Sequence, residues 1–276
     1  MKLRVLVDNQ ALIDRYFIAE PALSLLVEHA GARVLFDAGY SEAFVRNAEA
    51  MGEDLCRLDW VALSHGHMDH TWGLEALIRK QLLALEAGRR VPRPRLVAHP
   101  AVFESRSAQG VPEIGSLLTW DKVARHFETV PEPGPRELAP GLVFLGEIPR
   151  LLDFELPGFI GQREDGRPDM LPDDTALACV TPGGLVVVTG CAHAGVCNTV
   201  AYARAVTGVS RVRAVVGGLH LLAAPDPLLS ATAEYLAELD LQTLYPCHCT
   251  DLAAKLALAR LCPVQEIGVG SLLEFD

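Results

Sequence analysis

The chain has 276 residues, of which 50% are hydrophobic, and it carries a formal net charge of -11 at pH 7. Its length and apolar content allow a large buried core, whereas the negative charge disfavours a general nucleic-acid surface, which needs a basic stripe. The sequence shows neither a signal peptide nor an apolar run long enough to cross a bilayer, so we expect a cytoplasmic protein that does not contact membranes.

In the first half of the chain, short runs rich in β-branched residues alternate with stretches of helical periodicity. The predicted strands of this half are 3–7, 23–28, 33–37, 60–64 and 96–98. The predicted helices are 41–51 and 74–87, and Gly88 ends the second of them.

The second half repeats this alternation. Its predicted strands are 142–145, 176–181, 185–189, 212–216, 243–245 and 266–269. Its predicted helices are 198–206, 228–239 and 252–261. Two β-rich halves with helices outside them indicate an α/β fold, a four-layer αββα sandwich that forms one domain over residues 1–276.

Two stretches do not follow this pattern. Residues 105–140 and 157–173 are rich in proline and glycine and show little periodicity. Loops this long in a compact domain are usually binding loops or lids. We therefore predict loop insertions there that set the choice of substrate, with ordinary surface insertions as the alternative.

Residues 64–70, Ser-His-Gly-His-Met-Asp-His, directly follow the apolar run 60–63 and are typical of a metal-binding loop at a strand end. Imidazole nitrogens and carboxylate oxygens suit zinc or a similar divalent metal, and Gly66 lets the backbone turn so that neighbouring rings can converge. The alternative, in which these side chains only cap the following helix, leaves four strong ligands without a role. The candidate ligands are His65, His67, Asp69 and His70.

Three more histidines, His193, His220 and His248, each follow an apolar strand and precede a helix. Ligands of α/β sheets collect outside the carboxyl ends of the strands, so these histidines can meet the 64–70 loop at one rim. The seven cysteines are an odd number. In a reducing compartment they are expected to pack or to bind metal rather than to form disulfides, and Cys191 and the pair Cys247 and Cys249 are of interest because each flanks a histidine.

The pattern His-x-His-x-Asp-His over residues 65–70 resembles the signature of the metallo-β-lactamase superfamily. Asp37 stands where that superfamily keeps an aspartate that orients a metal ligand through a hydrogen bond. More narrowly, the chain resembles the branch that includes the archaeal dihydropterin ribofuranosylaminobenzene-phosphate synthase and many bacterial metal-dependent hydrolases. The segments that carry this likeness are 64–67, 146–150, 173–174, 190–195, 217–220 and 246–250.

The resemblance implies a binuclear site, with departures. The usual third histidine is missing between Pro100 and Gly190, and Cys191 occupies the position of the bridging aspartate. His193 is then expected to complete the first metal site with His65 and His67, while Cys191 either bridges the metals or only supports the site. For the last ligand of the second metal, His248 is preferred over His220 by its spacing.

The expected function is a hydrolase of a small, anionic substrate, an ester, phosphoester or lactone. Two divalent ions, taken to be zinc, would activate a bridging hydroxide. Asp69 would orient that hydroxide, and His220 would act as a general acid or contact the substrate.

Glu147 and Arg150 would shape the substrate side of the pocket, Arg150 as a fork for phosphate or carboxylate; an exposed ion pair is their alternative role. Alternative functions are a carbon–nitrogen bond-forming synthase acting on a dihydropterin and a non-catalytic or redox metal-binding protein. A homodimer is left open.

Overall fold

A computed structural model of the protein describes residues 1–155 and 158–276. The strands are β1 Lys2–Val7, β2 Ser24–His29, β3 Ala32–Phe36, β4 Trp60–Ala62, β5 Arg95–Ala98, β6 Arg106–Ser107, β7 Glu128–Pro131, β8 Arg136–Ala139, β9 Leu142–Phe144, β10 Gln162–Arg163, β11 Ala176–Thr181, β12 Gly184–Thr189, β13 Val212–Gly218, β14 Thr243–Cys247 and β15 Leu272–Glu274. The α-helices are α1 Ala43–Ala50, α2 Met68–Thr71, α3 Leu74–Glu86, α4 Trp120–Val123, α5 Val196–Thr207, α6 Asp226–Glu238 and α7 Leu252–Leu258.

The first large sheet has the strand order β15-β1-β2-β3-β4-β5-β7. Its strands are apolar on both faces, because successive side chains of a strand point to opposite sides. In β2, Leu25 and Val27 face the second sheet, whereas Leu26 packs towards the layer of α1 and α3. This sheet is therefore buried on both faces.

The second large sheet has the order β14-β13-β12-β11-β9-β8, and β12, β13 and β14 run parallel to one another. Val186 and Val188 of β12 belong to the core between the sheets, and Val187 packs in the outer cluster with residues of α5, α6 and α7. The two sheets with their outer helices form the four layers of an αββα sandwich, so the predicted fold class is confirmed.

The structure differs from the sequence-based expectation in two places. The strand predicted at 266–269 is wrong: the pairing there is limited to an isolated bridge between Val269 and Ala11, whose backbone hydrogen bonds are Val269 N–H to Gln10 and Leu12 N–H to Val269. The C-terminal strand is instead β15, which pairs antiparallel with β1. Within 105–140, where a loop insertion is predicted, β7 and β8 complete the edges of the two sheets.

The loops that carry the candidate ligands lie at one rim of the sandwich. We call residues 64–71, which follow β4, the metal loop, and we call the segments 190–195, 219–222 and 248–251 the strand-end loops, since they follow β12, β13 and β14. Parallel strands present their carboxyl ends at the same edge of a sheet, which is why these segments meet. Among the helices of the described residues, none is long and apolar enough to cross a membrane.

Candidate metal centre

Three histidine side chains converge on one point at this rim. The Nε2 atom of His65 lies 3.0 Å from Nδ1 of His67 and 3.2 Å from Nε2 of His193. Tetrahedral ligands at a metal–nitrogen distance of about 2.0–2.1 Å are about 3.3 Å apart, so these spacings fit three ligands of a single ion. All three rings are buried. We call this set the histidine triad.

A second set, the Asp69 triad, lies beside the first. Nε2 of His70 is 3.1 Å from Nε2 of His248, and Oδ2 of Asp69 is 3.5 Å from the former and 3.2 Å from the latter. Two nitrogens and one carboxylate oxygen suit a divalent metal of the zinc class. The six residues that the sequence analysis assigns to two metals are thus brought together in two groups of three.

The metal loop is held by buried polar contacts. Oδ2 of Asp37 is 2.7 Å from Nδ1 of His70, and the same carboxylate accepts hydrogen bonds from the backbone N–H and the hydroxyl of Ser64, both at 2.7 Å. The Ser64 hydroxyl oxygen also lies 2.9 Å from Nδ1 of His65. These contacts fix the ring orientations that leave Nε2 of His65 and of His70 for a metal, and Asp37 lies where the sequence analysis expects it.

The strand-end loops depend more on backbone conformation. Ala192, His220 and His248 have φ values of 56°, 50° and 53°, in the left-handed region that side chains rarely adopt. At His248 the backbone N–H donates to Oδ1 of Asp8 at 2.8 Å, and Nδ1 lies 3.1 Å from Oδ1 of Asn9. These contacts turn Nε2 of His248 towards His70.

The two triads differ in their proton affinity. Burial lowers the pKa of His67 to about 4 and lowers that of His65 and of His193 well below the ordinary value, so these rings are neutral and ready to bind metal. Burial opposes charge on His70 as well, but the carboxylates of Asp69 and Asp37 raise its pKa to about 9. Burial thus dominates at the three rings of the histidine triad, whereas neighbouring carboxylates dominate at His70.

A buried ion-pair cluster contacts the backbone of the metal loop. Nε of Arg106 is 2.8 Å from Oδ2 of Asp169, and its Nη2 is 2.7 Å from Oδ2 of Asp173; all three side chains are at most 1% exposed. Asp173 also accepts the backbone N–H of Gly66 at 2.8 Å. We call this group the arginine clasp, since it ties both predicted insertions to the turn between His65 and His67. Residue 157, where the second insertion is predicted to begin, lies outside the described residues.

Cys191 lies between the two triads. Its sulfur is 3.3 Å from Nε2 of His70, and it forms one group of potential ligands with His65 and His70, whose donor atoms are all within 4.8 Å of one another. Since His65 belongs to one triad and His70 to the other, the sulfur occupies the place of a bridging or a supporting group. Gly190 allows this approach, because a Cβ there would be 2.0 Å from the Ser64 hydroxyl.

A cavity of about 640 Å³ opens onto the ligands, and its wall includes Asp69, His193, His220, His248 and Cys191. A second cavity of about 290 Å³, which we call the apolar side cavity, adjoins it at His193 and His220. Its remaining wall is largely apolar, and the side chains that line it include Phe154, Phe159, Leu219, Leu221 and Leu228. A bound molecule can therefore contact the ligands and an apolar surface at once.

The remaining predicted site residues lie further out. His220 is exposed at the rim, with its ring centroid 4.2 Å from that of His193. Arg150 donates to the carbonyl oxygens of Met170 at 2.5 Å and of Leu171 at 3.1 Å, and Glu147 is exposed. The structure thus brings His220 to the ligands but directs Arg150 to the backbone of a neighbouring loop.

Several residues of the centre are not identified by the sequence analysis. Asp8 and Asn9 follow β1 as the other ligands follow their strands, so the same strand-end rule could have found them. Arg106 and its partner carboxylates give no local signal, because their contacts span more than 60 positions of the chain. Cys249 stands out in the sequence only because it flanks a histidine.

Comparison with known proteins yields a family model that matches residues 18–248, and its description is "Metallo-beta-lactamase superfamily". The matched segment includes the metal loop and ends at His248. All six members of the two triads therefore lie within the match.

Individual proteins match over nearly the whole chain. The 7,8-dihydropterin-6-methyl-4-(beta-D-ribofuranosyl)-aminobenzene-5'-phosphate synthase of Methanocaldococcus jannaschii is 31% identical, covering 92% of this chain and 89% of that protein. An uncharacterized protein of the same organism is 28% identical, with 94% of each chain covered. The crystal structure of Tm1679, described as a metal-dependent hydrolase of the β-lactamase superfamily, superposes with a TM-score of 0.82 at 28% identity, covering 100% of this chain and 99% of that chain.

Proposed function

Because the chain belongs to the metallo-β-lactamase superfamily, we propose that it is a metal-dependent hydrolase of a small, anionic substrate such as an ester, a phosphoester or a lactone. The observation that carries this proposal is the convergence of the histidine triad and the Asp69 triad on the wall of one cavity. The solved structure described as a metal-dependent hydrolase supports it, since the two chains align over their full lengths.

The donor chemistry fits two divalent ions. The histidine triad has the nitrogen spacing of a single coordination shell and leaves positions open for water or substrate, as catalytic zinc sites do. We propose that His65, His67 and His193 hold one zinc ion and that Asp69, His70 and His248 hold another, with Cys191 between them. Bound zinc would supply Lewis acidity and would lower the pKa of water.

The side chains around the cavity have separate tasks in this proposal. The neighbouring His70 and His248 keep the pKa of Asp69 below its usual range, although burial opposes this, so the carboxylate is ionised and can orient the attacking water by accepting a hydrogen bond from it. His220, at the rim, donates a proton to the leaving group. Lys255 also lines the cavity, and its ammonium group attracts an anionic substrate.

Arg150 and Glu147 keep a supporting role in the proposal. Arg150 holds the carbonyl oxygen of Leu171, and Leu171 lines the apolar side cavity. Arg150 would then shape the substrate side of the pocket through this loop. Glu147 would contribute charge near the same face.

A second candidate function is carbon–nitrogen bond formation on a dihydropterin, because a relative with 31% identity carries the name of such a synthase. The apolar side cavity favours this function as well: Phe154 and Phe159 line it together with His193, and aromatic side chains can stack on a planar ring. A hydrolase of a compact aliphatic substrate would have no use for that surface.

The test presents the zinc-loaded protein with a phosphodiester, a phosphomonoester and a lactone. A parallel assay offers a dihydropterin diphosphate together with a ribofuranosylaminobenzene phosphate. Hydrolysis that is lost in His67→Ala supports the hydrolase. Joint consumption of the two synthase substrates with release of diphosphate, and no hydrolysis, supports the synthase and overturns the first proposal.

We also propose a cytoplasmic location. All seven cysteines are free thiols, which is typical of proteins kept in a reducing compartment. Recovery of the protein from its native cells in the periplasmic or secreted fraction would contradict this.

A further inference from the structure

Two of the free thiols face each other beside His248. The sulfur of Cys249, which follows β14, accepts the backbone N–H of His220 at 3.1 Å and lies 3.6 Å from the carbonyl oxygen of Cys191. The two sulfur atoms and a ring nitrogen of His248 are all within 4.8 Å of one another. We call Cys191, Cys249 and His248 the thiol set.

The surroundings of Cys249 differ from those of Cys247 and Cys262. Cys247, two positions earlier on the same strand, packs in the apolar core between the sheets, and Cys262 packs in the outer apolar cluster. Cys249 instead lines the cavity among polar groups and ligands. Apolar packing explains why small, weakly polar thiols stand at positions 247 and 262. It does not explain why a thiol stands at position 249.

The thiol set shares His248 with the Asp69 triad. The Asp69 triad offers two nitrogens and an oxygen, and the thiol set offers two sulfurs and a nitrogen. Thiolates select zinc and other thiophilic metals over magnesium or manganese, and a coordinating metal deprotonates its thiol ligand. A metal at this position thus has a softer environment available than the histidine triad provides.

We propose that Cys249 is a thiolate ligand of the second metal, acting together with Cys191. The second position would then draw on both sets, which share His248, and would add sulfur to its nitrogen and oxygen donors. The histidine triad has three donors and keeps open positions for substrate. The second metal would be held more tightly and would be selected for affinity to sulfur, whereas the first would exchange and face the reaction.

The inference rests on the proposal that these loops bind metal, and loading with cobalt(II) tests it. Cobalt bound by thiolate gives a sulfur-to-metal charge-transfer absorption in the near ultraviolet, which nitrogen and oxygen ligands do not give. We expect this band in the reduced wild-type protein loaded with cobalt to saturation. Cys249→Ser should lose about half of it, since one of two thiolates remains, and the double variant Cys191→Ser/Cys249→Ser should lose all of it.

Cys262→Ser is the matched control. This buried thiol donates to the carbonyl oxygen of Ala233 at 3.5 Å, a contact that a serine hydroxyl can keep, and it lies outside the potential ligand groups found among the described residues. Its cobalt band should equal that of the wild type. A band of unchanged intensity in Cys249→Ser, with cobalt bound, overturns the inference.

Cadmium NMR of the wild-type protein decides the matter if Cys249→Ser does not fold. We expect two cadmium resonances, one of them shifted strongly downfield by two sulfur ligands. Two resonances without that shift, or cobalt bound without a charge-transfer band, exclude thiolate ligation but leave the hydrolase intact. Failure to bind any metal would instead remove the proposed function itself.

Discussion

The metal loop and the strand-end loops hold their ligands by different means. In the metal loop, buried carboxylates from other parts of the chain fix the histidines: Asp37 contacts His70, and Asp173 of the arginine clasp holds Gly66. In the strand-end loops, left-handed backbone conformations at His220 and His248 direct the side chains, and the buried carboxylate of Asp8 contacts the backbone N–H of His248 rather than its ring.

This difference shows how one centre can combine a rigid part and an adaptable part. Removing a buried charge partner leaves another charge uncompensated in a low-dielectric interior, which is costly. A side chain presented by backbone conformation at an exposed rim can be changed with less effect on its neighbours. Substitutions in the metal loop and in the side chains that hold it should therefore disturb the fold and the metal, whereas substitution of His220, which is exposed and belongs to neither triad, should disturb only the chemistry.

Arg106→Ala should have the largest effect on stability. The change leaves the buried carboxylates of Asp169 and Asp173 without their cation, and loss of one partner of such a pair costs about 3–5 kcal/mol. Urea unfolding of the metal-free protein measures this free energy. Arg163→Ala, which breaks a partly exposed pair with Glu104, is the control and should cost at most about 1 kcal/mol. Equal losses of unfolding free energy in the two variants would contradict a special stabilising role of the arginine clasp.

His67→Ala should remove one metal equivalent and lower turnover by about 1,000-fold, because a metal ion contributes several kcal/mol to the stabilisation of a developing charge. Elemental analysis and activity are measured on the same sample. His126→Ala, a half-buried histidine away from the ligands, should leave both values unchanged. A His67→Ala protein that keeps full metal content and full activity is incompatible with the histidine triad.

His220→Ala should leave the metal content at the wild-type value and lower turnover by about 100-fold, as expected for loss of a general acid. This variant separates the rim from the buried ligands, since His220 packs against His193 but belongs to neither triad. Loss of one metal equivalent would make His220 a ligand and would contradict the division between the two regions.

Asp37→Asn should weaken binding of the second metal by about 10- to 100-fold, the range expected when a carboxylate that orients a ligating histidine is lost. Competition with a chelator measures the affinity. Asp59→Asn is the control, because this exposed aspartate accepts the backbone N–H of Arg33 far from the site. If both variants bind metal as the wild type does, orientation by Asp37 is not needed.

The sequence predicts the part of the centre that is local in the chain. The metal loop is a contiguous motif, and His193 and His248 follow apolar strands, so the amino-acid sequence alone predicts that they lie close together, as the structure has them. It does not suffice for the arginine clasp, because Arg106 meets Asp173 only through the fold. The contact between Asp8 and His248 joins residues 240 positions apart, and no local pattern in the sequence predicts it.

The fold follows the same rule. Strands with apolar residues on both faces are predicted close to their observed bounds, since burial on both sides leaves a strong signal. The edges are harder to predict: β7 and β8 lie in a proline-rich stretch, and the strand predicted at 266–269 is replaced by β15 further along. Edge strands are short and partly exposed, so they lack the continuous apolar run of central strands.

Anomalous diffraction at the zinc absorption edge, from crystals of the zinc-loaded protein, tests the central claim most directly. We expect two peaks per chain, about 3.5–4 Å apart, one within bonding distance of His65, His67 and His193 and the other within bonding distance of Asp69, His70 and His248. A single peak, or peaks away from these side chains, would contradict the binuclear centre.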